Sequence, residues 1–343
     1  MRAARLTAVQ APGATPRDVL EVVEVPDLSP GPGEVLLRVG AAGVCATELH
    51  FLDGLLPAPR FPVTLGHEVA GTVEAVGDGV ARWDVGDRVA VHYLHSCGDC
   101  RPCRTGRENT CAAPAGMLGF ASDGGFAEQL VVPARSLARV PEGLDLTSAA
   151  PVTCSVTTAL HAAAVGDVRA DQVVVVYGTG GVGLALVQVL RRRGARVLAV
   201  ARSQARRDAA TDLGAEWVVD PADGDVGAQV QELTGGADLV VDLVGTQATA
   251  DAALAALAPG GALLYVGYSH ESVTLSPLQL VVGEHRVLTA VSCTLAELEL
   301  GLDLVARGEV RVLLDRVAPL EELPDVLAAL AAGDVVGRAV VVP

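Results

Sequence analysis

Residues 173–194 read VVVVYGTGGVGLALVQVLRRRG. The first five are an apolar run of strand length, closed by a glycine-rich loop at 178–183. Beyond the loop, apolar residues recur at helical spacing until three arginines and a glycine end the segment. A strand, a G-x-G-x-x-G loop and a helix, in that order, open a dinucleotide-binding sheet. Gly178 permits the tight turn, Gly180 lets backbone amides approach a pyrophosphate, and Gly183 lets the helix pack close to the strand. The helix N-terminus then faces the anion. In a chain with 38 glycines the loop alone carries little weight. Its flanks decide against an ordinary glycine-rich turn.

The same rhythm continues downstream. RVLAV (196–200) reads as a strand, SQARRDAATDLG (203–214) as a helix, and EWVVD, DLVVDLVG and GALLYVG as further strands with helical patterns between them. Alternation of this kind predicts a doubly wound parallel sheet. RVLTAV (286–291) would be its last strand. Upstream, EVLLRVGAAGV, EVAGTVEAVG and DRVAVHYL alternate or run apolar between Gly/Pro turns, which predicts an irregular β-rich lobe. The tail carries helical patterns near 295–307 and 322–332 and a final strand, RAVVV. It is expected to pack back on the first lobe. Residues 1–152 and 292–343 would then form one discontinuous domain, with 153–291 inserted in it.

Composition narrows the function classes. Half of the 343 residues are hydrophobic, 3% are aromatic, and all 25 basic residues are arginines. A net charge of −16 opposes a nucleic-acid surface, which must neutralise phosphates. The opening MRAARLTAVQAPG has no apolar signal core, so a cytoplasmic location is expected. The uncharged stretch Leu146–Gly166 contains Pro151, several Ser and Thr, Cys154 and His161, and reads as a buried helix rather than a membrane span. Four of the seven cysteines crowd one loop, which in this context points to metal or catalysis and not to disulfides.

That loop is CGDCRPCRTGRENTC, with Cys97, Cys100, Cys103 and Cys111 in the spacing C-x2-C-x2-C-x7-C. Four thiolates close a tetrahedral zinc shell and leave no open position, so this zinc is read as structural. A nucleic-acid zinc ribbon is the rival, and the net charge opposes it. Three more segments carry chemistry-bearing residues: AGVCATELH (42–50), LGHEVAG (65–71) and APVTCSVTTAL (150–160). Spacing does not show that they meet.

Together with VGDRV (85–89), GTGGVG and the closing GRAVVV, these segments resemble the zinc-dependent alcohol dehydrogenases of the medium-chain dehydrogenase/reductase superfamily. The resemblance covers essentially the whole chain. It implies a Rossmann sheet inserted in a GroES-like catalytic domain. It also implies two zinc ions per chain, one structural and one catalytic. Cys45, His67 and Cys154 match the catalytic-zinc ligands, and Glu68 an occasional alternative ligand. Glu48 falls where relatives usually have an aspartate that orients the zinc histidine. Thr47 matches the hydroxyl that takes the alcohol proton and His50 the end of the relay to solvent. Arg338 resembles a late arginine that reaches the pyrophosphate. At Ala46 many relatives place a basic residue instead. Thr179, Gly181, Val182 and Val266 join the glycines as cofactor contacts. By position, Tyr93, Leu118 and Tyr268 are candidates for the substrate-pocket wall, and Phe51 and Leu55 for its rim, which suits an apolar or aromatic alcohol or carbonyl. A zinc-free quinone or enoyl reductase of the same superfamily is the nearest alternative, and a non-catalytic zinc-binding regulator the one from another class.

Two expectations concern cofactor and assembly. The acid that binds the adenine ribose 2′-hydroxyl should stand roughly 20 residues past the glycine loop. Ala201 takes its place, followed by Arg202, Ser203, Arg206 and Arg207. Ala201 leaves room for a 2′-phosphate, Arg202 and Ser203 can bind it, and Arg207 can assist, so NADP(H) is expected over NAD(H). The plain alternative is a solvated helix face pairing with Asp208 and Asp212. An apolar edge strand at 286–291 predicts a homodimer or homotetramer.

Overall fold

The computed structural model describes residues 1–58 and 60–343. Two compact units make up the chain: Met1–Thr157 with Ser292–Pro343, and Thr158–Val291.

The second unit is built on six parallel strands. Across the sheet they run Trp217–Val219, Arg196–Val200, Val173–Tyr177, Ala237–Asp242, Leu257–Tyr265 and Arg286–Thr289. Val173–Tyr177 is flanked by the second strand on one side and the fourth on the other, so the winding reverses there. Ligands of such sheets bind at the carboxyl ends of the strands beside this reversal, and the glycine loop begins there. Val173–Val176 are all buried, as expected of a strand covered on both faces. Val175, Leu198, Val240 and Leu263 share one core. Arg286–Thr289 is the sheet's edge.

The first unit is centred on the long strand Glu34–Val44. It pairs antiparallel with Glu68–Val76, with Gln129–Pro133 and with the last strand, Arg338–Val342. The tail therefore does return to the first lobe, as its pattern predicts. Leu146–Pro151 is α-helical, Val152–Val156 widens into a π turn, and helix resumes at Thr157–Val165. Pro151 lacks the N–H that a regular turn would use, which accounts for a local departure there. No helix among the described residues is long and apolar enough to cross a membrane.

Candidate active site

Strand register assembles the site. Gly43 stands opposite Glu68, and Val44 opposite Ala339. The residues next in line, Cys45, His67 and Arg338, therefore come to one end of the sheet. Cys154 is delivered to the same place by the π turn, a form frequent at functional sites. One ligand atom from each of Cys45, His67, Glu68 and Cys154 lies within 4.8 Å of all the others, and all four residues are buried. Two sulfurs, a nitrogen and a carboxylate oxygen in that space fit a zinc ion.

Each side chain has a local reason for its position. A Cβ at Gly43 would lie 2.2 Å from Glu68 Oε2, so glycine leaves the space that this carboxylate fills. Arg338 Nη2 pairs with Glu68 Oε1 at 3.0 Å and lies 4.0 Å from Cys154 Sγ. The guanidinium is thus buried among the ligands and engaged by Glu68. Glu48 is 2% exposed and serves two ligands. Its Oε1 is 2.8 Å from His67 Nδ1, and its Oε2 accepts from Cys45 N at 2.8 Å. With Nδ1 engaged, Nε2 of His67 is left for a metal. The extra methylene relative to aspartate lets one carboxylate reach both donors.

Burial and mutual contact shift these groups in opposite directions. Cys45 is held well below the ordinary thiol range, first by its hydrogen bond with Cys154 and then by the charge of Arg338. Cys154 is pushed up by that same bond and by burial. Burial pushes the Glu68 carboxyl up to about 8, against the pull of Arg338.

Thr47 Oγ1 is 3.6 Å from Cys45 Sγ. His50 lies on the same short helix, Ala46–Leu52, with Nδ1 3.8 Å from Asp53 Oδ2. Around His67 is an aromatic wall. Tyr93 and Phe120 meet its ring edge-on at 5.3 and 5.4 Å, and Phe51 meets Phe120 at 5.2 Å. Sequence reasoning missed Phe120. It stands two residues after Leu118 in an apolar stretch of a chain with four phenylalanines, which was the available signal. Leu118 itself is fully buried in the core with Trp83 and Leu137. Leu55 is half-buried, and Tyr268 is exposed in the other unit.

The closed cluster is equally well formed. Sulfur separations among Cys97, Cys100, Cys103 and Cys111 are 3.9, 3.4, 3.8 and 3.5 Å. A tetrahedron with zinc–sulfur bonds near 2.3 Å has edges of about 3.8 Å.

In the nucleotide unit, Gly178 has φ +100°, and a Cβ at Gly183 would lie 2.1 Å from the Gly178 carbonyl oxygen. Gly180 caps the helix Gly181–Arg192 and has nothing within 4 Å of where its Cβ would be. Thr179 is buried, and its Oγ1 has no hydrogen-bond partner among the described residues. An open cradle of amides with an unmatched hydroxyl fits a dinucleotide's pyrophosphate. Val182 is half-buried in the first turn, and the half-buried Val266 donates its N–H to Asp242 O at 3.0 Å. Ala201 is buried, Arg202 is exposed, and Ser203 caps the helix Gln204–Asp212 without spending its hydroxyl on it. Arg207 Nη1 holds the carbonyls of Ala201 and Arg202 at 2.7 and 2.8 Å and pairs with Asp220, so it braces the loop from behind. Asp208 accepts from Gln204 Nε2 at 2.7 Å.

Comparison with known proteins identifies the family. The family model "Alcohol dehydrogenase GroES-like domain" matches residues 31–142, and "Zinc-binding dehydrogenase" matches residues 181–307. An alcohol dehydrogenase of Geobacillus stearothermophilus is 33% identical over 94% of this chain and 95% of its own length. Among solved structures, acetophenone reductase from Geotrichum candidum, in complex with NAD, is 30% identical with a TM-score of 0.89, covering 100% of this chain and 97% of that one. A putative zinc-binding dehydrogenase from Sinorhizobium meliloti, bound to NADP, is 31% identical with a TM-score of 0.87, covering 100% and 99%. The chain belongs to the zinc-binding alcohol dehydrogenases of the medium-chain dehydrogenase/reductase superfamily.

Proposed function

We propose that this member of the zinc-binding alcohol dehydrogenases oxidises a primary or secondary alcohol, or reduces the matching carbonyl, at the cluster of Cys45, His67 and Cys154, with NADP(H) as its preferred cofactor. One observation carries the reading: these ligands converge within 4.8 Å, with Glu68 beside them. A zinc ion held by Cys45, His67 and Cys154 would supply Lewis-acid polarisation of the substrate oxygen, and a bound nicotinamide would supply or accept the hydride. The chain's own part is to hold and to move a proton. Thr47, 3.6 Å from Cys45 Sγ, would accept the alcohol proton at Oγ1 as it releases its own hydroxyl proton into a relay that ends at His50 and solvent. Glu48 fixes the ring of His67 and the backbone of Cys45. Tyr93, Phe120 and Phe51 offer an aromatic face, which favours an apolar or aromatic substrate.

Support for NADP(H) lies in residues 201–203. Ala201 presents no carboxylate to repel a 2′-phosphate. The exposed Arg202 offers a charge-assisted fork, and Ser203 offers a hydroxyl beside a helix N-terminus. Arg207 assists by holding the backbone of this loop rather than by touching the phosphate.

The working assembly is at least a homodimer. Among the described residues, Arg286–Thr289 has a sheet partner on one side only. Leu278, Val281 and Val282 of the neighbouring helical segment are 73–77% exposed, and Val291 is 58% exposed. A second copy would cover both the strand edge and this apolar group. We place the enzyme in the cytoplasm, where two thiolate clusters are kept reduced. The test is a panel of alcohols and carbonyls run with NAD and with NADP, on protein of measured zinc content. Two zinc ions, turnover and a higher kcat/KM with NADP are expected. Protein holding one zinc, or turnover that survives loss of the metal from the open cluster (Cys45, His67 and Cys154), would refute the reading.

A further inference from the structure

The four-cysteine loop touches more than its own metal. Its short turn Glu108–Thr110 leads into the ligand Cys111, and Cys111 N donates to Glu108 O at 3.0 Å. The Glu108 side chain points the other way. Its Oε1 accepts from Leu295 N at 2.8 Å, 187 residues further along the chain. Leu295 opens the helix Leu295–Ala306, capped by Thr294 and Glu297. The first N–H groups of a helix have no partner within it, and a carboxylate there also meets the positive end of the helix dipole. A second tether runs alongside. The ring of His92 lies between the carbonyl oxygens of Leu94, at 2.9 Å, and Cys293, at 2.7 Å. The helix so held packs against the π turn Val152–Val156, which carries Cys154. All these residues lie in the first unit.

We propose that Glu108 is a positioning residue for the open metal cluster: it ties the closed zinc loop to the helix that backs the π turn bearing Cys154. The inference rests on the reading of Cys45, His67 and Cys154 as metal ligands. The closed zinc then has a task beyond stapling its own loop. It fixes the carboxylate that fixes the helix, and the helix limits how far Cys154 can withdraw from the metal. A bystander carboxylate would contribute to stability without changing how firmly the open cluster keeps its ion.

The test uses whole protein with zinc in the closed cluster and cobalt in the open one. The cobalt absorption band is followed as EDTA removes the ion. Glu108→Ala should speed cobalt loss about tenfold, the lower end of the usual effect of a ligand's supporting residue. Glu108→Gln, whose amide oxygen can still accept from Leu295 N, should restore most of the difference. Leu295→Pro removes the donor instead of the acceptor. The substitution suits the first position of a helix, and Thr294 before it is already extended. It should match Glu108→Ala, and the double variant should be no worse than either single one. Leu295→Pro also leaves the cysteine loop untouched, so it decides the matter if Glu108→Ala loses its closed zinc. Cobalt loss at the unmodified rate in Leu295→Pro, with or without a lower Tm, overturns the inference alone. Unmodified protein that takes up one metal ion overturns the functional reading and this inference with it.

Discussion

Glu48→Asp removes one methylene from the side chain that serves two metal ligands. The carboxylate is 2% exposed, lies 2.8 Å from His67 Nδ1 and accepts from Cys45 N at 2.8 Å. Shortening the chain by one carbon–carbon bond withdraws it by about 1.5 Å. Both contacts cannot survive, because a shift of that size takes at least one donor out of hydrogen-bond range. A hydrogen bond to a charged group contributes about 1.5–3 kcal/mol, and its loss here leaves a buried N–H unsatisfied. Taking about 2 kcal/mol, the open cluster should hold its metal roughly 30-fold less firmly, since 1.4 kcal/mol is about a factor of ten. Glu48→Gln keeps the reach but not the chemistry. The amide offers one acceptor oxygen to two donors and turns its NH2 toward the other. The imidazole also loses the negative charge that makes it a stronger ligand.

Both variants are measured by competition with a chelator for the open-cluster metal and by kcat/KM, with the closed zinc counted separately. The expected result is weaker retention and lower kcat/KM in both, with the closed zinc retained. Glu48→Asp within about threefold of the unmodified enzyme on both measures would show that the two-donor contact does not matter, since that corresponds to well under 1 kcal/mol.

Four further outcomes follow from the same geometry. Cys45→Ser should abolish turnover and leave a folded protein with about one zinc, whereas Cys103→Ser should mainly lower Tm, because a structural zinc contributes folding energy; both are read by metal analysis and thermal unfolding. Ala201→Asp/Arg202→Ile should reverse the order of kcat/KM for NADP and NAD, and an unmodified enzyme that works better with NAD would mark Arg202 as a solvated surface group. Gly43→Ala puts a Cβ 2.2 Å from Glu68 Oε2 and 2.9 Å from Glu68 Cβ, so rotation of the side chain cannot relieve it; a loss of about 1–3 kcal/mol in urea unfolding is expected. Val282→Arg places a charge in the exposed apolar group of the second unit and should shift light scattering toward the monomer, an effect absent if that face is solvated in the native protein.

What the sequence disclosed depended on how local the signal was. The glycine loop is six residues between a strand and a helix, and each part has its own pattern, so the nucleotide sheet could be read directly. The closed cluster is fifteen residues with all four ligands in view. The open cluster is different in kind. Cys45, His67 and Cys154 are separated by long stretches: the pairing of Gly43 with Glu68 joins the first two, and the π turn Val152–Val156 brings in the third. Register of that sort follows from which faces are buried across the paired strands, and no window of sequence contains it. Family resemblance supplied the convergence, and the strand register and the π turn give its physical cause. The boundary after Thr157 was hidden for a related reason: it falls within a helical run that has no turn signal.

Side chains whose partners lie far off were the hardest to read. Arg207 sits in a row of arginines that invites a phosphate, yet it is spent on two carbonyls and Asp220, a residue from the next strand's end. Arg338 belongs by sequence to the last strand and by contact to Glu68. Glu108 sits inside the cysteine motif and answers to a helix 187 residues away. In each case the residue type was visible and its partner was not, because a long charged side chain can satisfy itself in several directions. Burial decides among them. A guanidinium or carboxylate removed from water must be paired, so once the backbone fixes which of these groups are buried, the choice of partner is narrow. The apolar pattern sets that backbone, and the polar residues of the site then take the few arrangements it leaves open.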